Sequence, residues 1–124
     1  MSVGQSRTQI KVTIDGVGEV TGEFIKVRAP LTVGAIEKMM PLKGRLHAQD
    51  GGYSVIINIR RGTEKAVKEV KAGTIAYWPM QDSIIIYNKD TRTYSPVNKI
   101  GEITSNLELV KDLKSGTRIS IEKA

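Results

Sequence analysis

Polar and apolar residues alternate through Gln9-Ile10-Lys11-Val12-Thr13-Ile14, the period-two signature of a strand with one buried face. Asp15-Gly16 and Gly18, with Val17 between them, punctuate a turn. Val20 to Val27 predicts a second strand, with Val20, Phe24 and Val27 among its apolar positions. The two strands read as a hairpin. Pro30 disfavours helix at Ala29 before it, and Thr32 is placed to cap a short helix that runs to Met40. Ala35, Ile36, Met39 and Met40 fall at helical spacing and face a core. Pro41 ends the element.

Lys43 to Ile59 predicts two extended stretches around Gln49-Asp50-Gly51-Gly52, the second being the β-forming run Tyr53 to Ile59. Arg61-Gly62-Thr63 reads as a loop, and Val67 and Val70 mark a weaker segment. Thr74 to Trp78 is a strand that breaks at Pro79. Ser83 to Tyr87 is almost wholly apolar, as expected of a strand buried on both faces. The stretch from Asn88 to Pro96 is polar and reads as turn and loop. Val97 to Ile103 is extended, with Gly101 inside it. Ser105-Asn106-Leu107-Glu108 has the capping-box spacing. It predicts a helix with Leu109, Val110 and Leu113 on one face and Gly116 as its left-handed cap. Arg118 to Ile121 forms a closing strand. The order is mostly β, many short strands with two short helices, which points to a sandwich or barrel whose open ends the helices cover.

Composition narrows the function more than it specifies it. At 124 residues the chain suits one domain, read as a loose polar tail over 1–8 and a single domain over 9–124. There is no cysteine and a single histidine, His47, which removes disulfides, thiolate metal sites and multi-histidine clusters and suits a reducing, cytoplasmic setting. No cofactor motif and no metal-ligand set is present. No apolar run approaches a membrane span. The formal charge of +6 comes from 19 basic against 13 acidic residues. These are dispersed, with Arg60-Arg61 and Lys65, Lys68 and Lys71 as the local concentrations, and no basic face carries interleaved aromatics. That disfavours nucleic acid as a partner.

The chemistry gathers in one place. Residues two apart on a strand share a face, so Arg45, His47 and Gln49 project together, with Tyr53 close by in sequence. A guanidinium, an imidazole and an amide on one face can grip the carboxylate or amide of a ligand. The same residues would serve equally as a solvated strand face beside a glycine turn. Trp78, the single tryptophan, fits either a pocket wall or a turn anchor ahead of Pro79. Any catalytic triad would have to use His47, and no serine can be tied to it. No catalytic residue is assigned.

Ala72-Gly73-Thr74-Ile75-Ala76-Tyr77-Trp78-Pro79 followed by Ser83-Ile84-Ile85-Ile86 resembles the paired central segments of cyclophilin-type barrels. Val97 to Ile103, then Leu107 to Leu113, then Thr117 to Ile121 resembles that family's closing strand, helix and strand. The Tyr-Trp-Pro run and the short loop after it are most similar to the small prokaryotic cyclophilin-like proteins of unknown function. The resemblance spans roughly residues 9 to 122. It implies a closed eight-stranded barrel capped by two short helices, with Arg45, His47, Gln49, Tyr53 and Trp78 along a surface groove that binds a small molecule or short peptide.

The prolyl isomerases of this fold set an arginine, a phenylalanine, a glutamine, a tryptophan and a histidine around a proline pocket. Here Arg45 and Gln49 stand too close together, the only phenylalanine is Phe24 on an early strand, and Pro96-Val97-Asn98 stands where a histidine is expected. The isomerase motif is not reproduced, and weak peptidyl-prolyl isomerase activity is the alternative that the resemblance leaves. A further alternative is an interaction module with a protein partner, since related domains occur within larger assemblies acting on small amides.

Overall fold

The computed structural model describes residues 6–124. The tail expected over 1–8 lies mostly outside them, and Arg7 and Thr8 already belong to the first strand. The strands are β1 (Arg7–Ile14), β2 (Gly18–Ile25), β3 (Leu42–Arg45), β4 (His47–Gln49), β5 (Gly52–Ile56), β6 (Val67–Val70), β7 (Thr74–Trp78), β8 (Ser83–Tyr87), β9 (Thr91–Ser105) and β10 (Arg118–Lys123). One α-helix, α1 (Pro30–Met39), follows β2.

The strands hydrogen-bond in the order β3-β10-β1-β2-β9-β7-β8-β5-β4, and β6 pairs with β9 off this path. Two expectations are corrected here. The sheet has ten strands rather than eight, and its ladder is not closed into a barrel. Its two ends are nevertheless consecutive in the chain, because only Leu46 separates β3 from β4. Leu46 is buried, and its backbone bonds to Thr117 and Gly116. A Cβ on Gly44 would lie 2.5 Å from Val55 Cγ2, so β3 presses on β5 without pairing with it.

The second expected helix is also absent. Ser105 ends β9, its hydroxyl bonded to Thr21, and Asn106 takes a left-handed φ of 65°. The capping box therefore never forms, and a single 3-10 turn over Leu107–Leu109 stands in its place. The cap of α1 differs too. Ala29 occupies the N-cap position and makes no side-chain bond. Glu64, 32 residues away, accepts from Leu31 N at 3.0 Å, Thr32 N at 2.8 Å and Thr32 Oγ1 at 2.7 Å. A distant carboxylate thus satisfies the unpaired first-turn amides.

Alternation sorts the side chains into two apolar clusters. Ile75 and Tyr77 of β7, Ile84 and Ile86 of β8, and Val55 of β5 join the main core with Phe24, Val33, Ile36 and Ile121. Ala76, Ile85 and Tyr87 point the other way and meet Val70 and Val97, with Val67 and Trp78 at the margin. The second cluster exists because β6 and the first half of β9 cover the outer face of β7 and β8. Each buried isoleucine of β8 contributes about 1.5–3 kcal/mol, which is why the strand is apolar on both faces.

The segment between β5 and β6 contains no strand but is held at several points. Asp82 Oδ1 accepts from Ile59 N and Arg60 N, and the Tyr77 hydroxyl accepts from Arg61 N. The buried Asn98 accepts from Glu64 N at 2.7 Å and donates to Gly62 O and Thr32 Oγ1. Helix, loop and β9 are thereby joined through one amide.

Candidate functional site

Cross-strand register fixes which residues share the outer face of β4, β5, β8 and β7. Gln49 stands opposite Gly52 and Gly52 opposite Tyr87. His47, Ser54, Ile85 and Ala76 form the next row, and Ile56, Ser83 and Trp78 the one after. Directly opposed residues in an antiparallel sheet project to the same side. His47, Gln49 and Trp78 therefore share one face, with Ser54 and Ile85 buried between them.

The polar contacts order this face. Gln49 Nε2 donates to Ser54 Oγ at 3.0 Å, which satisfies a hydroxyl otherwise shut away from water. The Trp78 indole N–H donates to Ser95 on β9, so the ring is tied to the ribbon that covers the sheet. Gln49, Trp78, Tyr87, Tyr94 and Ser95 line a crevice of about 70 Å³. Burial pushes the Tyr87 phenol up to about 12, and Asp50 and Arg92 add charge to the same wall. His47 is exposed on the same face but does not line the crevice.

Three apolar side chains that sequence reasoning missed stand around this face. Ile56 is 52%, Met80 64% and Tyr94 86% exposed. Ile56 shares a row with Trp78, and Met80 Sδ lies near the Ser95 hydroxyl. Tyr94 carried a usable signal in the alternation Thr91-Arg92-Thr93-Tyr94-Ser95, which is a strand rather than the expected loop.

Arg45 and Tyr53 do not join the others. Tyr53 projects from the opposite face, packs against the main core and accepts a hydrogen bond from Leu113 N at 3.1 Å. Arg45 donates to Gly116 O at 3.0 Å and lines a separate groove with Arg118 and Lys43. The constellation of five thus divides into His47, Gln49 and Trp78 on one face, Arg45 in a neighbouring groove, and Tyr53 on the core side. Among the described residues no group of three or more His, Asp or Glu gathers in a metal-binding arrangement, and no helix is long and apolar enough to cross a membrane.

The fold is that of a known family. A family model described as cyclophilin-like matches residues 8–122. The chain belongs to the cyclophilin-like family. Among solved structures, this cyclophilin-like chain is similar to the hypothetical protein AF2241 from Archaeoglobus fulgidus. The two share 23% identity and a TM-score of 0.80, with 96% of each chain covered. It is also similar to McbB, solved in complex with tryptophan, at 15% identity and a TM-score of 0.72. That match covers 91% of this chain and 44% of McbB. At these identities the likeness is one of fold. No curated protein matches the chain.

Proposed function

We propose that this cyclophilin-like chain binds a small molecule or short peptide along the outer face of β4, β5, β8 and β7, seating an apolar or aromatic group against Trp78. The observation that carries this reading is that His47, Gln49 and Trp78 share one face, Gln49 and Trp78 lining its crevice, with Ile56, Met80 and Tyr94 exposed nearby. Isolated exposed apolar residues are ordinary, but several near one crevice, with Tyr94 in its wall, suit a ligand. The imidazole and amide supply donors and acceptors for a carboxylate or peptide group. McbB, which shares this fold over 44% of its length, was solved in complex with tryptophan, and a small aromatic ligand is the class tested first.

Binding without covalent chemistry fits the side chains best, since Ser54 and Ser83 are buried and bonded to Gln49 and to the Gln81 carbonyl. Because Trp78 is the only tryptophan, its fluorescence reports on this face alone. Titration with tyrosine, phenylalanine and proline-containing dipeptides should give a saturable emission change. Gln49→Ala should weaken binding about tenfold. No saturable change with any of these compounds, or affinity indifferent to both Gln49→Ala and His47→Ala, would sink the reading.

A further inference from the structure

A second concavity lies on the outer face of β1, β10 and β3, away from Trp78. It measures about 490 Å³, within the usual range of small-molecule sites. Two adjacent cross-strand rows build it. Thr13, Ser120 and Lys43 form the first. In the second, Arg118 stands opposite Arg45, and Asp15 follows on β1 with its amide bonded to Arg118 O.

The charges here are arranged unlike those next to them. One row further along the same face, Lys11 pairs with Glu122 at 3.5 Å. Among the described residues no carboxylate pairs with Lys43, Arg45 or Arg118. Asp15 lines the groove yet lies beyond ion-pair distance of all three. Like charges directly opposed across two strands are destabilising, so the Arg118–Arg45 pair costs stability until an anion neutralises it. Arg45 is already oriented by its bond to Gly116 O, which leaves further guanidinium donors to address a ligand. Two forked guanidiniums, an ammonium and two hydroxyls make a donor set suited to a tetrahedral dianion.

We infer that this groove is a binding site for a small phosphate-bearing molecule, held by Arg45, Arg118 and Lys43 with Thr13 and Ser120 donating hydroxyl hydrogens. The site is separate from the Trp78 face and does not depend on the reading given for it.

Amide chemical shifts of the full chain, followed against inorganic phosphate, a simple phosphate monoester and citrate, test the inference. Saturable shifts at Thr13, Lys43, Arg45, Arg118 and Ser120 are expected with both phosphate compounds. The monoester should bind more tightly than the free ion, because the groove is larger than one phosphate. Arg118→Gln should weaken phosphate binding about tenfold. Both arginines are exposed, so Arg118→Gln should fold normally, and Arg45→Gln gives an independent second variant. Citrate binding tighter than either phosphate compound would overturn the phosphate assignment. No saturable shift, or shifts spread over all surface lysines and arginines, would overturn the site.

Discussion

The Tyr77 hydroxyl donates to Asp82 Oδ1 at 2.5 Å, across the turn that joins β7 to β8. Asp82 sits in the left-handed region with φ of 53°, and the same oxygen accepts from Ile59 N and Arg60 N. One carboxylate oxygen therefore ties a buried phenol to the loop that follows β5. Tyr77→Phe removes the donor to Asp82 and leaves the Arg61 amide without its acceptor. A loss of about 1–3 kcal/mol is expected in urea unfolding, with faster hydrogen exchange at the amides of Ile59, Arg60 and Arg61. Unchanged exchange there would contradict the anchoring role.

The same phenol predicts an alkaline limit. Burial, reinforced by the hydrogen bond to Asp82, pushes the Tyr77 hydroxyl from 10.0 up to about 12, and burial does the same to Tyr87. The folded state favours the neutral phenols, while the unfolded chain releases their protons first. The stability they contribute is complete below pH 10 and is lost as pH rises through about 12. Melting temperature should fall across that window, and Tyr77→Phe should flatten part of the slope.

Glu64 predicts the opposite dependence at acid pH. Burial raises its carboxyl, but the amides of Leu31 and Thr32 and the Thr32 hydroxyl outweigh this and hold it below the ordinary 4.5. Its contribution is present above that value and is lost as pH falls below it. Glu64→Gln should cost about 1 kcal/mol at neutral pH, in line with the loss of a helix cap. The melting temperatures of the two proteins should converge on acidification.

Gly101 marks a close approach of backbones where β9 passes between β2 and β7. A Cβ at this position would lie 2.0 Å from Glu23 O, and that carbonyl belongs to a paired strand. Gly101→Ala should destabilise the protein by about 3 kcal/mol. Denaturant midpoints measure it, and a loss within experimental scatter would mean that β2 and β9 can part without cost.

The elements that were legible in the sequence are those whose pattern is decided by burial. β7 and β8 fall on the expected residues because every position after their polar first residues, Thr74 and Ser83, joins one cluster or the other. The hairpin of β1 and β2 follows from alternation and the Asp15-Gly16 turn. What escaped depended on partners far along the chain. The cap of α1 comes from Glu64, which no local spacing reveals. The box at Ser105 looked sound but lost to strand pairing with Thr21. Residues 91–95 read as loop because their polarity hid an alternation whose partner is β6. At the candidate site, the shared face of His47 and Gln49 was legible from their spacing, and so was the opposition of Tyr77 and Trp78. The divergence of Arg45 was not. Leu46 takes its backbone bonds from the segment before β10, and that interrupts the strand on which all three were expected to align.

That interruption also governs how the protein behaves in company. An open sheet normally presents two unpaired edges, each a template on which another chain can add a strand. Here both ends of the main strand path belong to one stretch of eight residues, Leu42–Gln49, pinned at its middle by Leu46, and the four-residue β6 adds one short further edge. One edge presses against Val55, and the Ser115 hydroxyl accepts from the Ala48 amide beside the other. Lys43 and Arg45 add charge to what is left. At the two ends of the strand path, a fold that stops short of ring closure thus leaves little exposed ladder for aggregation to begin on.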